Sequence, residues 1–456
     1  MPARLIDSLA TTEALAELFS DRSVLQAMLN FEVALARAEA GAGIIPKSAA
    51  AGIAAAGKAE DFDVASLVRD TLRSGTPGVP LAKALTERVR AKSPRAPGFV
   101  HWGATSQDVA DTALVLLLKK AQPMLAADLR RLEAALRKLS ERHKGTVMLG
   151  RTLMQAAPPV TFGLKAAGWL GAISRSSKRL DAAFGEALIV QFGGATGTLA
   201  SLGEQGPAVV RALAKELGLG CPDAPWHSHR DRLANLISGF GVLMGSLGKM
   251  ARDISLLMQN EIAEVAEPSA QGRGGSSTMP HKHNPVGCAV TLAAAHRVFG
   301  EVAAFLSTMV QEHERSVGGW QAEWPIVASV AQSTGLAAAS MAEVAEGLSV
   351  DSARMRANIE NTKGVIFAER AMMLLGPSLG RDAAHNLLEE ATRKSHLQGK
   401  VLSQVLAEMP EVTSRLDGSA LRQLEKPDQY LGATETFRRA LVSSSQKRKT
   451  PRKKER

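Results

Sequence analysis

Apolar residues recur every three or four positions over long stretches of this chain. From Leu125 to Leu139, leucines follow one another at alternating steps of four and three. A second apolar series with this spacing runs from Leu233 to Ile262, which is about eight helical turns. One small globule cannot cover helices of this length, so the pattern predicts a helix bundle that other copies of the chain also bury.

Other stretches with the same periodicity predict further helices at about 11–40, 159–187, 286–316, 326–348 and 365–375. We find no period-two alternation with hairpin turn residues, so no sheet is expected. Aromatic residues make up only 4% of the chain, which favours interdigitated helices over sheet. The predicted fold class is all-α.

Breaks in the helical pattern suggest domain boundaries. Stretches rich in Pro and Gly at 74–80 and 94–99 indicate a boundary near residue 110, and Asn361–Gly364 indicates another near 360. At 456 residues the chain exceeds the usual size of a single core. We therefore predict an N-terminal helical domain at 1–110, a central helical bundle at 111–360, a C-terminal helical domain at 361–442 and a disordered basic tail at 443–456.

The net charge of +10 is concentrated at the C-terminal end. From Lys447 to Arg456 there are seven basic residues and one acidic residue, so +6 of the charge lies in that segment. The rest of the chain is nearly balanced. With no aromatic residues interleaved for base stacking, a nucleic-acid-binding role for the tail is unlikely, and we interpret it as solvated.

Cysteine content and hydropathy indicate a cytoplasmic protein. Cys221 and Cys288 are too few for a disulfide framework, and Met1–Arg4 leads into Asp7 without an apolar signal region. No window of about 18 uncharged apolar residues occurs, so the sequence does not predict a membrane span.

The segment Gly275–Pro285 combines a hydroxyl, a cation and an amide behind a glycine-rich stretch. Glycines allow a mobile loop, and prolines on either side of His281–Asn284 restrict φ there. A mobile hydroxyl could reach a substrate proton while Lys282 and Asn284 stabilise negative charge. Judged by Gly, Ser and Pro content alone, an ordinary surface loop is the more common alternative.

A second polar segment, His101–Asp108, precedes an apolar run. Thr105 and Asp108 have the spacing of a capping box at a helix N-terminus. A helix N-terminus that also carries hydroxyls can bind a carboxylate, so both interpretations are compatible. A histidine such as His101 is, without further information, more often structural than functional.

Both segments resemble active-site segments of the fumarase/aspartase superfamily. Gly275–Pro285 matches every fixed position of its pattern Gly-Ser-Ser-x-Met-Pro-x-Lys-x-Asn-Pro, and His101–Asp108 resembles its His-x-Gly-x-Thr-Ser-x-Asp pattern. The resemblance implies a three-domain fold around a long-helix bundle and a homotetramer with active sites shared between subunits. By position, the resemblance implies that Ser276 is the catalytic base. The residues that it implies for carboxylate binding are Lys282, Asn284, Thr105 and Ser106, and the implied pocket histidine is His101.

The segment Gly150–Gly163 resembles the second active-site segment of the superfamily, in which carbon–nitrogen lyases usually carry Thr-His-x-Gln. Leu153 occupies the position of that histidine, which is their general acid, and Gln155 matches the glutamine. An amine needs a proton as it leaves, whereas a carboxylate leaves without help because its conjugate acid has a pKa of about 4. The missing acid therefore favours a member whose leaving group is a carboxylate.

From residue 5 to about 440 the chain resembles the bacterial cycloisomerase branch of this superfamily, whose members convert 3-carboxy-cis,cis-muconate to 4-carboxymuconolactone in the β-ketoadipate pathway of aromatic compound catabolism. Other matching stretches are Gln191–Leu199, Pro225–Arg232 and Gln311–Trp324. The resemblance implies a small tricarboxylate substrate and requires no metal or organic cofactor.

Two arginines and three histidines carry further expectations. Arg230 and Arg315 are the next cations expected to bind the tricarboxylate. His229 and His283 depart from the usual pattern, which bears on substrate specificity. A metal pair at His227 and His229 is disfavoured because no further ligand is close in sequence.

Two other functions are compatible with parts of the sequence. An adenylosuccinate lyase-like carbon–nitrogen lyase would need the missing acid, and it would need a phosphate-binding arginine that Gly318–Trp324 lacks. A non-catalytic scaffold or RNA-binding protein could use the basic tail, but it would have no need for Ser276, Lys282 and Asn284. A related polycarboxylate as substrate also stays open.

Overall fold

The structure is a computed structural model, and it describes residues 5–269, 274–275, 278–279 and 281–446. The α-helices are α1 (Glu13–Leu18), α2 (Asp21–Gly41), α3 (Lys47–Ala56), α4 (Val64–Ser74), α5 (Gly78–Lys92), α6 (Ser106–Arg142), α7 (Phe162–Ala187), α8 (Gly206–Leu217), α9 (Asp231–Leu257), α10 (Val286–Thr308), α11 (Gly319–Gly347), α12 (Ser352–Glu360), α13 (Ala368–Leu379), α14 (Arg381–Gln398), α15 (Leu402–Ala407), α16 (Pro410–Thr413), α17 (Gly418–Leu424) and α18 (Thr434–Gln446). The strands are β1 (Val147–Thr152), β2 (Gln155–Thr161), β3 (Val265–Ala266) and β4 (Ser349–Val350). The all-α prediction is confirmed.

The helices follow the predicted periodicity, but several of their bounds differ from the prediction. The predicted helix at 11–40 is interrupted before Ser20, whose side chain accepts a hydrogen bond from Ser23 N–H and caps α2. Helix α10 ends at Thr308, earlier than predicted. Helix α11 starts at Gly319, ahead of Pro325, because packing of its first turns, where Trp320 and Glu323 are buried, outweighs the hydrogen bond that proline removes.

The expectation of no sheet was wrong at two places, because β3 pairs with β4 over two residues and β1 and β2 form an antiparallel hairpin. Leu153 and Met154 make its two-residue turn, and both have positive φ, at 48° and 67°. Such turns usually contain Asn-Gly or Asp-Gly, so this one has no sequence signal. Gly150 lies opposite the bend in β2, where a Cβ would come within 2.3 Å of Pro158 O.

The chain divides into two compact units. The first comprises the chain up to Leu129, Ser176–Gly248 and Val290–Ser340, and the second comprises Arg130–Arg175, Lys249–Ala289 and the chain from Met341 onward. Each unit has a buried apolar cluster. The cluster of the first lies among α2, α3, α5, α8 and the start of α6, and that of the second among β1, α13, α14, α15 and α17.

The start of the predicted basic tail was placed too early. Residues 443–446 form the last turn of α18, and Ser445 is buried and accepts a hydrogen bond from Arg137 Nη2 at 2.8 Å. An arginine partner and a buried hydroxyl hold these residues in the helix. Residues 447–456, which carry most of the excess charge, lie outside the described residues.

In the part of the chain that the structure describes, two helices are long and apolar enough to cross a membrane by length and composition alone. They are α9 and α10, and α9 is the more deeply buried of the two. The apolar residues of α9 include Phe240, Leu243 and Leu247, all of which lie in the core, as its periodicity predicts. Length and apolar composition are also common in core helices of multi-subunit proteins.

Candidate active site

Helix α6 begins at Ser106 and presents its N-terminus beside an arginine. Thr105 N–H donates to Asp108 Oδ2 at 3.0 Å, which is half of the predicted capping box. The Thr105 hydroxyl accepts a hydrogen bond from Arg315 Nη2 instead of capping the helix. A helix N-terminus, two hydroxyls and a guanidinium together form a site suited to a carboxylate.

Arg315 lies in the loop between α10 and α11 and has unused hydrogen-bonding capacity. Its Nη1 is buried and makes no hydrogen bond with any residue that the structure describes. Ser228 Oγ fixes the loop by donating to His313 O at 2.9 Å. A buried guanidinium N–H without a partner is unfavourable, so an anionic ligand at this position would stabilise it.

Asp108 holds three neighbouring segments together, a role that the capping interpretation did not include. Its Oδ1 accepts from Gly193 N–H at 2.9 Å and contacts His227 Nε2 at 2.7 Å, and its Oδ2 accepts from Gly194 N–H at 3.0 Å. The carboxylate is fully buried. Gly194 has φ of 68°, and a Cβ there would lie 2.8 Å from Gly103 O, so this contact requires glycine.

The same contacts explain His227 without a metal ion, because its ring is already paired with Asp108. His229 is exposed. Among the described residues, no group of three or more His, Cys, Asp or Glu side chains has an arrangement that could hold a metal.

His101 lies just before α6 and is paired with a carboxylate from α2. Its Nδ1 is 2.6 Å from Glu32 Oε1, and the Glu32 side chain is only 1% exposed. Burial alone would lower the pKa of His101, but the charge and hydrogen bond of Glu32 and the charge of Asp108 outweigh it and raise that pKa. His101 can therefore carry a positive charge beside Thr105.

Arg230 does not have the position expected of a substrate-binding residue. Its side chain is fully buried, where it makes a two-bond contact with Asp111 at 2.8 and 3.0 Å and contacts Glu323 at 2.5 Å. The Trp226 ring lies over its guanidinium at 4.8 Å. Two buried carboxylates occupy the guanidinium, so the structure assigns Arg230 a structural role in place of the predicted contact with substrate.

The signature segment lies partly outside the described residues, and Ser276 is one of those that are not described. Its described ends are joined, because Asn284 N–H donates to Gly274 O at 2.8 Å. The carboxylate of Glu267 then accepts from Gly287 N–H at 2.9 Å and Cys288 N–H at 2.8 Å, and so caps α10. Glu267 therefore fixes the end of the segment that carries Asn284. Lys282 is exposed.

The β1–β2 hairpin carries Gln155 and Leu153. Arg151 anchors the hairpin with a bidentate contact to the buried Glu264, with Nη2–Oε1 at 2.7 Å and Nη1–Oε2 at 3.0 Å. Gln155 is exposed at the start of β2, and Leu153 is 97% exposed at the turn. Leu153 thus has almost no packing within its own chain.

Of the predicted site residues, the first unit contains His101, Thr105, Ser106 and Arg315, and the second contains Gln155, Lys282 and Asn284. The structure brings the first four to the N-terminus of α6. Sequence reasoning missed Glu32 and the linking role of Asp108. Glu32 gives one weak signal, since it and Glu39, seven positions later, are acidic residues on a side of α2 that is apolar apart from them.

Comparison with known proteins identifies the family of this chain. A family model described as lyase matches residues 9–300, and one described as adenylosuccinate lyase C-terminus matches residues 364–440. The chain belongs to the fumarase/aspartase superfamily of lyases.

Individual relatives match over nearly the full length. A 3-carboxy-cis,cis-muconate cycloisomerase of Bradyrhizobium diazoefficiens is 45% identical over 96% of this chain and 98% of its own length. The crystal structure of 3-carboxy-cis,cis-muconate lactonizing enzyme from Pseudomonas putida matches with a TM-score of 0.91 at 44% identity, covering 97% of this chain and 99% of that chain. A nitrosuccinate lyase of Streptomyces davaonensis is 42% identical over 91% of this chain and 89% of its own length.

Proposed function

We propose that this chain is a cycloisomerase that converts 3-carboxy-cis,cis-muconate to 4-carboxymuconolactone. The observation that carries the proposal is the carboxylate site at the start of α6, where Arg315 contacts Thr105 and keeps a buried N–H without a partner among the described residues. Near-full-length relatives with this activity support it. Leu153, in place of a general acid, favours a carboxylate over an amine as the leaving group in the reverse reaction.

In the proposed mechanism, a carboxylate oxygen of the substrate adds to a carbon–carbon double bond. The electron pair of that bond moves to the neighbouring carbon, which is α to another carboxylate, and gives an enolised carboxylate. Fixed donors and cations stabilise this added charge, a role that we assign to Lys282 and Asn284. Ser276 delivers the proton to the α-carbon and removes it in the reverse direction.

The remaining carboxylates need binding groups that do not react. Thr105, Ser106 and Arg315 supply hydroxyls, a helix N-terminus and a guanidinium for one of them. Gln155 is assigned to substrate binding from the resemblance. No step in this mechanism needs a metal or an organic cofactor.

The purified protein should decrease the ultraviolet absorbance of 3-carboxy-cis,cis-muconate and should fail to cleave adenylosuccinate. Expulsion of an amine without a positioned acid is slower by about 10²- to 10⁴-fold, whereas expulsion of a carboxylate is slowed little. Parallel assays with both substrates check this. Cleavage of adenylosuccinate without loss of the muconate signal would overturn the proposal.

Nitrosuccinate is a second candidate substrate, favoured by the relative at 42% identity that bears that name. Elimination from it would release nitrite, which is a weak base and also leaves without an acid. The missing histidine at Leu153 therefore does not separate these two substrates. Release of nitrite that is faster than lactone formation under matched conditions would select this alternative.

We also propose that the chain forms a cytoplasmic homotetramer with three domains bounded near residues 110 and 360 and with shared active sites. Exposed apolar side chains on α10 support the assembly, since Phe299 and Leu306 are 47% and 45% exposed in the single chain. The exposed Leu153 supports a contact with another subunit. The separate family match from residue 364 supports the second domain boundary.

Mixing two inactive variants should restore activity if the sites are shared. His101→Ala and Lys282→Ala remove groups from different segments, so mixed tetramers would contain some sites with neither change. Partial activity after reassembly of the mixture is the expected result, with each variant reassembled alone as the control. Mixed tetramers that stay inactive would show that one chain builds each site.

A further inference from the structure

His101 is held in an unusual backbone conformation by a partner from a distant part of the chain. Its φ is 59°, a region that residues with a Cβ rarely adopt. Glu32, which is 69 positions earlier in sequence, contacts its Nδ1 at 2.6 Å. A strained backbone at a polar site persists only where the surrounding contacts fix it, and this pair supplies such a contact.

Among the described residues, the charged groups that shift the pKa of His101 are two carboxylates. Glu32 lies on α2 and Asp108 lies on α6, and each raises the pKa of His101 against the opposite effect of burial. Asp108 is also bound to His227 and to two backbone N–H groups, so its position is fixed. Of the residues that the structure describes, Glu32 makes the direct hydrogen bond to the His101 ring.

A second carboxyl on α2 behaves differently. Glu39 is buried two turns further along, and neither of its oxygens has a hydrogen-bond partner among the described residues. Burial, followed by the charge of Glu32, raises the pKa of Glu39 to about 8. Glu39 therefore keeps its proton at neutral pH and does not compete with Glu32 for the histidine.

We propose that Glu32 is a positioning residue that fixes the ring of His101 and holds a proton on its Nδ1, so that His101 is a cationic contact for one substrate carboxylate. With Nδ1 bound to Glu32, Nε2–H is the group left to donate to an anion. The inference rests on the proposed function for the identity of that anion. Its structural part, the charged pair, does not depend on the substrate.

Glu32→Gln should lower kcat/KM for the muconate at pH 8 by about 10- to 100-fold, mainly through a higher KM. The amide cannot stabilise the imidazolium, so His101 loses its proton at lower pH. The alkaline limb of the pH profile should move down by about one unit or more. Glu32→Asp, which keeps the charge, should recover part of the activity.

Glu39→Gln is the matched control, because it makes the same change on the same helix at a carboxyl that is mostly protonated at neutral pH. At pH 7 its kcat/KM should match that of the wild type, and its alkaline limb should move much less than that of Glu32→Gln. In the double variant Glu32→Gln with His101→Asn, the loss should be no greater than in His101→Asn alone. An unshifted limb in Glu32→Gln, or an equal shift in Glu39→Gln, would contradict the inference.

An assay without substrate separates this inference from the proposed function. The chain has ten histidines, and the ring signal of His101 can be assigned in ¹³C-labelled protein by its loss in His101→Asn. In the wild type, this ring should titrate above the ordinary histidine pKa of about 6.5, and Glu32→Gln should lower that value. Titration of the wild-type ring at or below the ordinary value would overturn the role of Glu32. An inactive wild type with a raised titration would overturn only the substrate assignment.

Discussion

Replacing Arg230 with alanine should destabilise the folded chain by about 3–5 kcal/mol, because the change leaves two buried carboxylates without their counter-charge. Asp111 and Glu323 are fully buried, and each makes direct contacts with the guanidinium. Asp111 keeps hydrogen bonds from Trp320 and Gln107, but neither of these donors carries charge. The midpoint of urea unfolding, followed by circular dichroism at fixed protein concentration, measures the effect.

The destabilisation by Arg230→Ala should decrease as the pH falls. Burial raises the pKa of the Glu323 carboxyl even with Arg230 present. A carboxyl whose pKa is higher in the folded chain favours folding most at low pH, and this contribution is lost as the pH rises through that pKa. At pH 5 the variant should therefore lie closer to the wild type than at pH 8.

Arg356→Ala is the matched control. Arg356 also forms an ion pair, with Asp428 at 3.0 Å, but the two side chains are 42% and 57% exposed. Exposed pairs contribute about 0–1 kcal/mol. Equal effects of the two substitutions would show that the buried cluster does not have the structural role inferred for Arg230.

The long helices could be predicted because the three- and four-residue spacing of their apolar residues is visible in the sequence. Leu129, Leu132 and Leu136 are buried along α6, as their spacing of three and four requires. The β1–β2 hairpin could not be predicted in this way. Its turn uses Leu153 and Met154, and its second strand contains two prolines, so neither turn chemistry nor alternation was visible.

The candidate site was predictable where its residues are adjacent in sequence. Thr105, Ser106 and Asp108 lie within one turn of a helix start, and the local pattern identified them. Glu32 could not be found, because its contact with His101 depends on how α2 packs against distant residues. Arg230 was misassigned for the same reason, since a sequence does not reveal which arginines have carboxylate partners.

Ser276→Ala should reduce turnover of the muconate by at least about 10²- to 10⁴-fold, the usual contribution of a positioned acid–base group. The segment that carries it is anchored at Gly274 and Asn284 and by Glu267, so removing one hydroxyl should leave these contacts in place. KM should change little, because substrate carboxylates bind to other groups. Steady-state kinetics of a variant with wild-type circular dichroism and oligomeric state measures this.

Exchange of the lactone α-proton with deuterated water gives a second readout of the same step. If Ser276 moves this proton, Ser276→Ala should lose exchange and turnover together. Thr278→Ala is the control, since it removes a hydroxyl from an exposed residue at the variable position of the same segment and should stay within a few-fold of the wild type. Turnover of Ser276→Ala within about tenfold of the wild type, which is only 1.4 kcal/mol of barrier, would remove Ser276 from the proton-transfer role and require another group near Lys282 to take it.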